Sequence, residues 1–111
     1  MSPRDWRERV QDILDAIAEI ETFTHGMDFD SFSADAKTLR AVELNLIVIG
    51  EAANQIPDNV EEDHPQIPWS SMRAMRNRLV HVYFSVDEHL LWDTIKNDLP
   101  VLFSVLQSLL T

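Results

Sequence analysis

Between Leu39 and Ile56, six apolar residues (Leu39, Val42, Leu46, Ile49, Ala53 and Ile56) recur at spacings of 3, 4, 3, 4 and 3. That alternation marks a helix with one buried face, because a helical turn holds about 3.6 residues. A second stripe on the same segment, Leu44, Ile47, Glu51 and Asn54, begins apolar and ends polar. A helix apolar on two faces is either central in a bundle or shared with another subunit. The segment is expected to start near Ser33, with Asp35 in its first turn, and to end at the Ile56-Pro57 boundary. Gly50 inside it costs roughly 1 kcal/mol of helix propensity, so close packing at that point is the expected reason for it.

The remaining segments repeat the helical pattern. Ser2-Pro3-Arg4-Asp5 reads as a capping serine, a first-turn proline and an early acid. Trp6, Val10, Ile13, Ile17 and Ile20 follow as one stripe, and the polar Thr24-His25-Gly26 ends it. PDNVEEDHPQIP, residues 57–68, holds three prolines and reads as an acidic loop. A third helix is expected from Trp69 or Ser70. Ser85-Val86-Asp87-Glu88 matches a capping box and predicts the start of a fourth. Pro100 is expected to end or kink that helix, with Asp98 capping a last segment that carries Val101, Leu102, Val105, Leu106 and Leu109. Two glycines leave little material for hairpins, strand-like alternation is absent, and no internal repeat is visible. The fold class expected is all-α: an up-and-down helical bundle of four helices plus a short or kinked C-terminal fifth, in one domain over residues 1–111.

The chain has no cysteine, which excludes disulfides, thiolate zinc sites and cysteine nucleophiles. It contains no apolar run of the roughly 18 residues that a membrane span needs. MSPRDWRERV is charged and lacks the apolar stretch of an export signal, so the cytoplasm is the expected location. A net charge of −10 argues against non-specific nucleic-acid binding. It permits a local anion site, because screening confines exposed charges to about 8–10 Å at cellular salt.

Such a site is visible. From Trp69 to Val86 there is no acid, yet Arg73, Arg76, Arg78 and His81 crowd together. On a helical wheel Met72, Met75, Leu79 and Val82 form a core arc, with Arg76 and Tyr83 aligned at its edge. Arg73 and Asn77 lie further round, and His81 beyond them. Arg76 and His81 are separated by about 140° and about 7.5 Å along one regular helix. They converge on one small group only if the helix ends near His81 or a symmetric partner supplies the facing copy. Arginine forks onto phosphate oxygens and keeps its proton; histidine moves protons near neutral pH. Together they suit phosphoryl transfer within RNA: the 2′-hydroxyl attacks the adjacent phosphate, His81 moves a proton, and Arg76 stabilises the developing charge. Asn77 is placed to orient the phosphate or the imidazole. The plainer reading is that helix arginines are solvated surface and that His81 complements the helix dipole.

Other candidates carry less. Glu61, Glu62, Asp63 and His64 lack a second histidine, so a solvated loop is a better account than a metal site. His89 and Asp93 read as an exposed pair one turn apart. Trp6, Trp69 and Trp92 read as packing residues. Two glycines allow no phosphate-cradling loop. Glu51, on the second stripe, is a candidate partner for Arg73 or Arg76, or else faces solvent.

IGEAANQIP (49–57), IPWSSMRAMRNRLVHVYFSVD (67–87) and LWDTIKNDLPVL (91–102) resemble, in order and spacing, the HepT family of HEPN-domain toxins. The resemblance covers nearly the whole chain. It implies a dimeric helical bundle that cleaves RNA without metal or other cofactor through an Arg-x-x-x-x-His-x-Tyr motif. The motif falls on Arg76 and His81 as catalytic residues and on Tyr83 as the residue modified. Asn77, Arg73 and Glu51 stand as supporting or phosphate-binding residues. Ala74 replaces an expected glycine, and Val82 an acid common between the His and Tyr; neither is a catalytic group. The resemblance also implies a partner, a minimal nucleotidyltransferase antitoxin that neutralises the toxin by adenylylation (AMPylation) of Tyr83. The competing function class is a non-catalytic helical module that dimerises and binds such a nucleotidyltransferase.

Overall fold

The computed structural model describes residues 5–81 and 86–111, all of whose regular structure is helical. The helices are α1 (Trp6–Thr24), α2 (Phe29–Ser33), α3 (Ala36–Asn54), α4 (Asp58–Asp63), α5 (Trp69–His81), α6 (Glu88–Asp93) and α7 (Leu99–Leu109), with a π-helical segment, Thr94–Asp98, joining the last two. Helix α3 is central, packed against α1 and α5, while α7 also rests on α1. All six residues of the α3 seam are buried, as are Val10, Ile13, Ile17 and Ile20 of α1. The all-helical bundle expected from the periodicity is the fold.

The ends of the helices differ from the sequence reading. Helix α1 is capped by Asp5, whose carboxylate accepts the Arg7 N–H at 2.8 Å; the Ser2-Pro3 start lies outside the described residues. After Thr24 the chain turns through Gly26 in the left-handed region at φ 77°, which glycine adopts at little cost. Ser33 belongs to the extra helix α2, and Asp35 is the cap of α3 rather than a first-turn residue, accepting from Thr38 N–H at 3.1 Å.

The stretch read as an acidic loop contains α4. Pro57 leads into it, Asp58 and Glu61 sit in its first turn where the helix dipole favours acids, and Val60 anchors it in the core. Trp69 is buried, and its indole N–H donates to the His64 carbonyl at 3.2 Å.

At α6 the cap is Asp87, which accepts from the His89 and Leu90 N–H groups; Ser85 lies outside the described residues. Glu88, the other residue of the expected capping box, is engaged instead by the Ser33 hydroxyl of α2. His89 does not form the expected pair with Asp93 but stacks on Phe29, with ring centroids 3.9 Å apart. The helix begun at α6 changes register just before Pro100, and the last segment starts there as α7. The π register, in which Leu99 N–H donates to Thr94 O, places Pro100 in the first turn of α7, where its missing N–H is least costly. Asp98 makes no side-chain cap there.

Gly50 is buried where α3 meets α5. A β-carbon there would lie 2.8 Å from the Met72 carbonyl oxygen and 3.0 Å from Arg76 Cγ, and closer still to Arg76 Cβ. Alanine gains up to about 1 kcal/mol of helix propensity but forces the helices apart. Overpacking of this kind costs about 1–3 kcal/mol. Gly50→Ala is therefore expected to lower the urea midpoint, and Gly50→Val to lower it further; an unchanged midpoint for both would contradict the crossing.

The caps of α2 and α3 also set a pH dependence. The Ser31 backbone N–H holds the Asp28 carboxyl below its ordinary pKa, and the Thr38 N–H does the same for Asp35. Because both are lowered on folding, their stabilisation is present above the unfolded-state pKa and is lost as pH falls through the folded values. Asp28→Asn and Asp35→Asn, which retain a capping oxygen, are expected to flatten the acid limb of the stability–pH curve. An acid limb as steep as the parent's in the double variant would refute the assignment.

Candidate active site

Helix α5 carries the basic island. Met72 and Leu79 face the core and Met75 is half-buried against it, which turns the polar residues of the same helix outward and towards α3. Val82 and Tyr83 lie outside the described residues.

Arg76 is the most constrained of the island's residues. Its aliphatic stem rests on Gly50, so its guanidinium emerges beside the next residue of α3, Glu51. Nε is fully buried, with the Glu51 carboxylate as its ion-pair partner; the contact is an ion pair rather than an aligned hydrogen bond. Nη1 donates to Asn77 Oδ1 at 2.9 Å. An arginine has five N–H donors. With one facing Glu51 and one given to Asn77, the rest remain for an anion, and the side chain keeps 29% of its exposure. Of the open partners for Glu51, the structure selects Arg76.

Arg73 goes elsewhere. Its Nη2 donates to Glu61 Oε1 at 3.0 Å, and its Nη1 reaches the Ala53 carbonyl at 3.5 Å, near the end of α3. Both side chains are largely buried, at 28% and 22% exposure. Arg73 thus ties α5 to α4 and to the last turn of α3. Glu61, read from sequence as a solvated acid, is its partner. No pattern along the chain marks that pair, because the two residues lie 12 apart on different helices. Among the described residues no cluster of three His, Asp or Glu side chains is arranged to hold a metal ion.

Arg78 and His81 are exposed and have no ion-pair partner among the described residues. Because α5 is regular through His81, the imidazole stays about 140° round the helix from Arg76. The structure therefore brings Arg76, Asn77, Glu51 and Gly50 together and leaves His81 in another sector of the same helix. A phosphate on Arg76 would meet fixed guanidinium donors; a proton carrier must approach from elsewhere. Among the described residues no helix is long and apolar enough to cross a membrane.

A family profile described as "Ribonuclease HepT-like" matches residues 13–109, which run from within α1 to the end of α7. A protein of Thermococcus cleftensis named "Probable ribonuclease HepT" is 44% identical over 89% of this chain and 90% of its own length. A "Putative RNase" of Methanocaldococcus jannaschii is 39% identical over 90% of this chain and 83% of its own. A "Putative RNase" of Caldanaerobacter subterraneus is 32% identical over 91% and 88%. No solved structure matches. With the profile spanning nearly the whole helical bundle, and relatives aligned over most of their own lengths, the chain belongs to the HepT-like ribonuclease family.

Proposed function

We propose that this HepT-like ribonuclease is a metal-independent endoribonuclease, the toxin of a toxin–antitoxin pair, with Arg76 and His81 as its catalytic residues. The observation that carries the reading is the fixed guanidinium of Arg76: Gly50 seats its stem, and Glu51 and Asn77 orient its head. A guanidinium held in advance loses little on binding a phosphate and is already placed for the charge that grows on the non-bridging oxygens. The 2′-oxygen attacks phosphorus as its proton passes to an imidazole, the P–O5′ bond breaks, and the 5′-oxygen takes a proton from water. The products are a 2′,3′-cyclic phosphate and a free 5′-hydroxyl.

His81 is that imidazole. Its separation from Arg76 supports a homodimer in which the Arg76 of one protomer and the His81 of its partner share a cleft. Leu44 and Ile47 of α3 are the proposed interface residues. Leu44, at 63% exposure, offers the open contact, while Ile47 is half-buried against its own core. Asn77 and Glu51 act as positioning residues. Arg73, spent on Glu61, supports the site by holding α5 in place. The RNA is met in the cytoplasm.

Purified protein is expected to cleave RNA in excess EDTA and to behave as a dimer in light scattering. Arg76→Ala and His81→Ala should each lose about a hundredfold to ten-thousandfold in rate while retaining the parent helical spectrum. Parental cleavage by either variant, or full dependence on added magnesium, would overturn the assignment.

Regulation falls on Tyr83, the chain's single tyrosine. On the helical wheel of the sequence it falls about 20° from Arg76. A phosphodiester there would compete for the guanidinium, and the adenosine would obstruct the cleft. A minimal nucleotidyltransferase partner with ATP is expected to add adenylyl mass to the parent and to abolish its cleavage. Tyr83→Phe should gain no mass and resist inhibition; modification mapped to a serine or threonine would refute this.

A further inference from the structure

Glu51 also borders a groove of about 380 Å³ between α1 and α3. Its floor is apolar, made by Ile47, Val48 and Ala52; its polar walls are Arg9, Asp12, Glu51 and Gln55. The volume falls in the range typical of small-molecule sites. Glu51 belongs to both features: its Oε1 pairs with Arg76, and its side chain, 49% exposed, also borders the groove.

We propose that this groove is a nucleobase subsite, which holds the amino edge of an adenine or cytosine beside the phosphate on Arg76. The inference rests on the ribonuclease reading of the same site. Arg9 faces Asp12 at 3.7 Å and Glu51 Oε1 faces Arg76, which leaves the exposed part of the Glu51 carboxylate and the Gln55 side-chain amide to meet a ligand. These two groups accept N–H donors. Acidic side chains accept from the cytosine amine, and glutamine pairs with the N6 and N7 edge of adenine. Uracil presents a carbonyl oxygen where cytosine has its amine, and that oxygen would face the carboxylate without a proton between them. The apolar floor suits the face of a base, and single-stranded RNA presents its bases splayed from the backbone. A base one nucleotide from a phosphate on Arg76 is covalently tethered near the groove, and Glu51 spans the two. Base choice is thereby coupled to the residue that orients the arginine.

The test uses full-length protein and 2′-O-methyl oligonucleotides, whose blocked 2′-oxygen prevents cleavage, with binding read by fluorescence anisotropy. An adenine strand is compared with the same strand built from purine, which stacks similarly but lacks the 6-amine, and a cytosine strand with a uracil strand. The amine-bearing strands are expected to bind about 5- to 100-fold more tightly. Gln55→Ala should remove most of the adenine preference, and Glu51→Gln most of the cytosine preference, with unchanged helical spectra. Equal binding of each pair by the parent, no binding of any strand, or preferences that survive both variants would overturn the subsite. Cleavage of ordinary RNA is scored separately. Cleavage without base preference removes the subsite and leaves the ribonuclease reading; base preference without cleavage does the reverse.

Discussion

The crossing of α3 and α5 at Gly50 organises this molecule. Elsewhere the bundle is held by interdigitated side chains, but at this point the stem of Arg76 lies directly on the backbone of α3. The close approach removes Nε from water and brings the guanidinium to Glu51, the residue next along α3. It also brings Arg73, nearly one turn earlier on α5, within reach of the Ala53 carbonyl and Glu61. Helix propensity lost at one glycine is offset by methylenes buried on both sides of the crossing. Any larger residue at position 50 disturbs the core and the candidate site together, since one contact serves both.

Charge is arranged around that contact rather than spread evenly. The chain is strongly acidic, and two of the three arginines of α5 are answered by acids from other helices. Partly exposed ion pairs contribute little to stability, so the value of the Arg76–Glu51 contact lies in orientation. The Arg73–Glu61 pair, more fully enclosed, joins α4 and α5 and converts an acidic connection into part of the wall behind the site. Arg78 and His81 stay exposed on the outer side of α5. What remains is a small, directional patch of positive charge on a surface that otherwise repels nucleic acid.

The C-terminal third holds the bundle closed by a different device. Proline in a continuous α-helix would lose a hydrogen bond and clash with the preceding turn. The π segment changes the hydrogen-bond register just before Pro100, so the helix passes through and keeps Leu102 and Leu106 in the core. The short α2 meets α6 through Ser33 with Glu88, Phe29 on His89 and Phe32 on Trp92, whose ring centroids lie 5.0 Å apart. These contacts join segments distant in sequence and brace the end of the bundle away from the Gly50 crossing.

The long helices and their buried faces were legible in the sequence because a period near 3.6 is a local property, written in consecutive residues of α1 and α3. The glycine was legible for the same reason: an unfavourable residue inside a long seam needs a close neighbour to explain it. The basic island was legible as a run of types, and the order and spacing of the three blocks 49–57, 67–87 and 91–102 carried the resemblance to the family. Helices of five and six residues, α2 and α4, are too short to show a period; α2 rests on a capping box and α4 on its first-turn acids, with a single buried anchor each, Phe32 and Val60. Partner choice was decided only in three dimensions. Glu51 had two candidate arginines on one helix, and the Gly50 crossing determined which one lies beside it. Glu61 looked solvated until α4 folded against Arg73. The groove beside Glu51 exists only because α1 and α3 pack side by side, a relation that no spacing along the chain encodes.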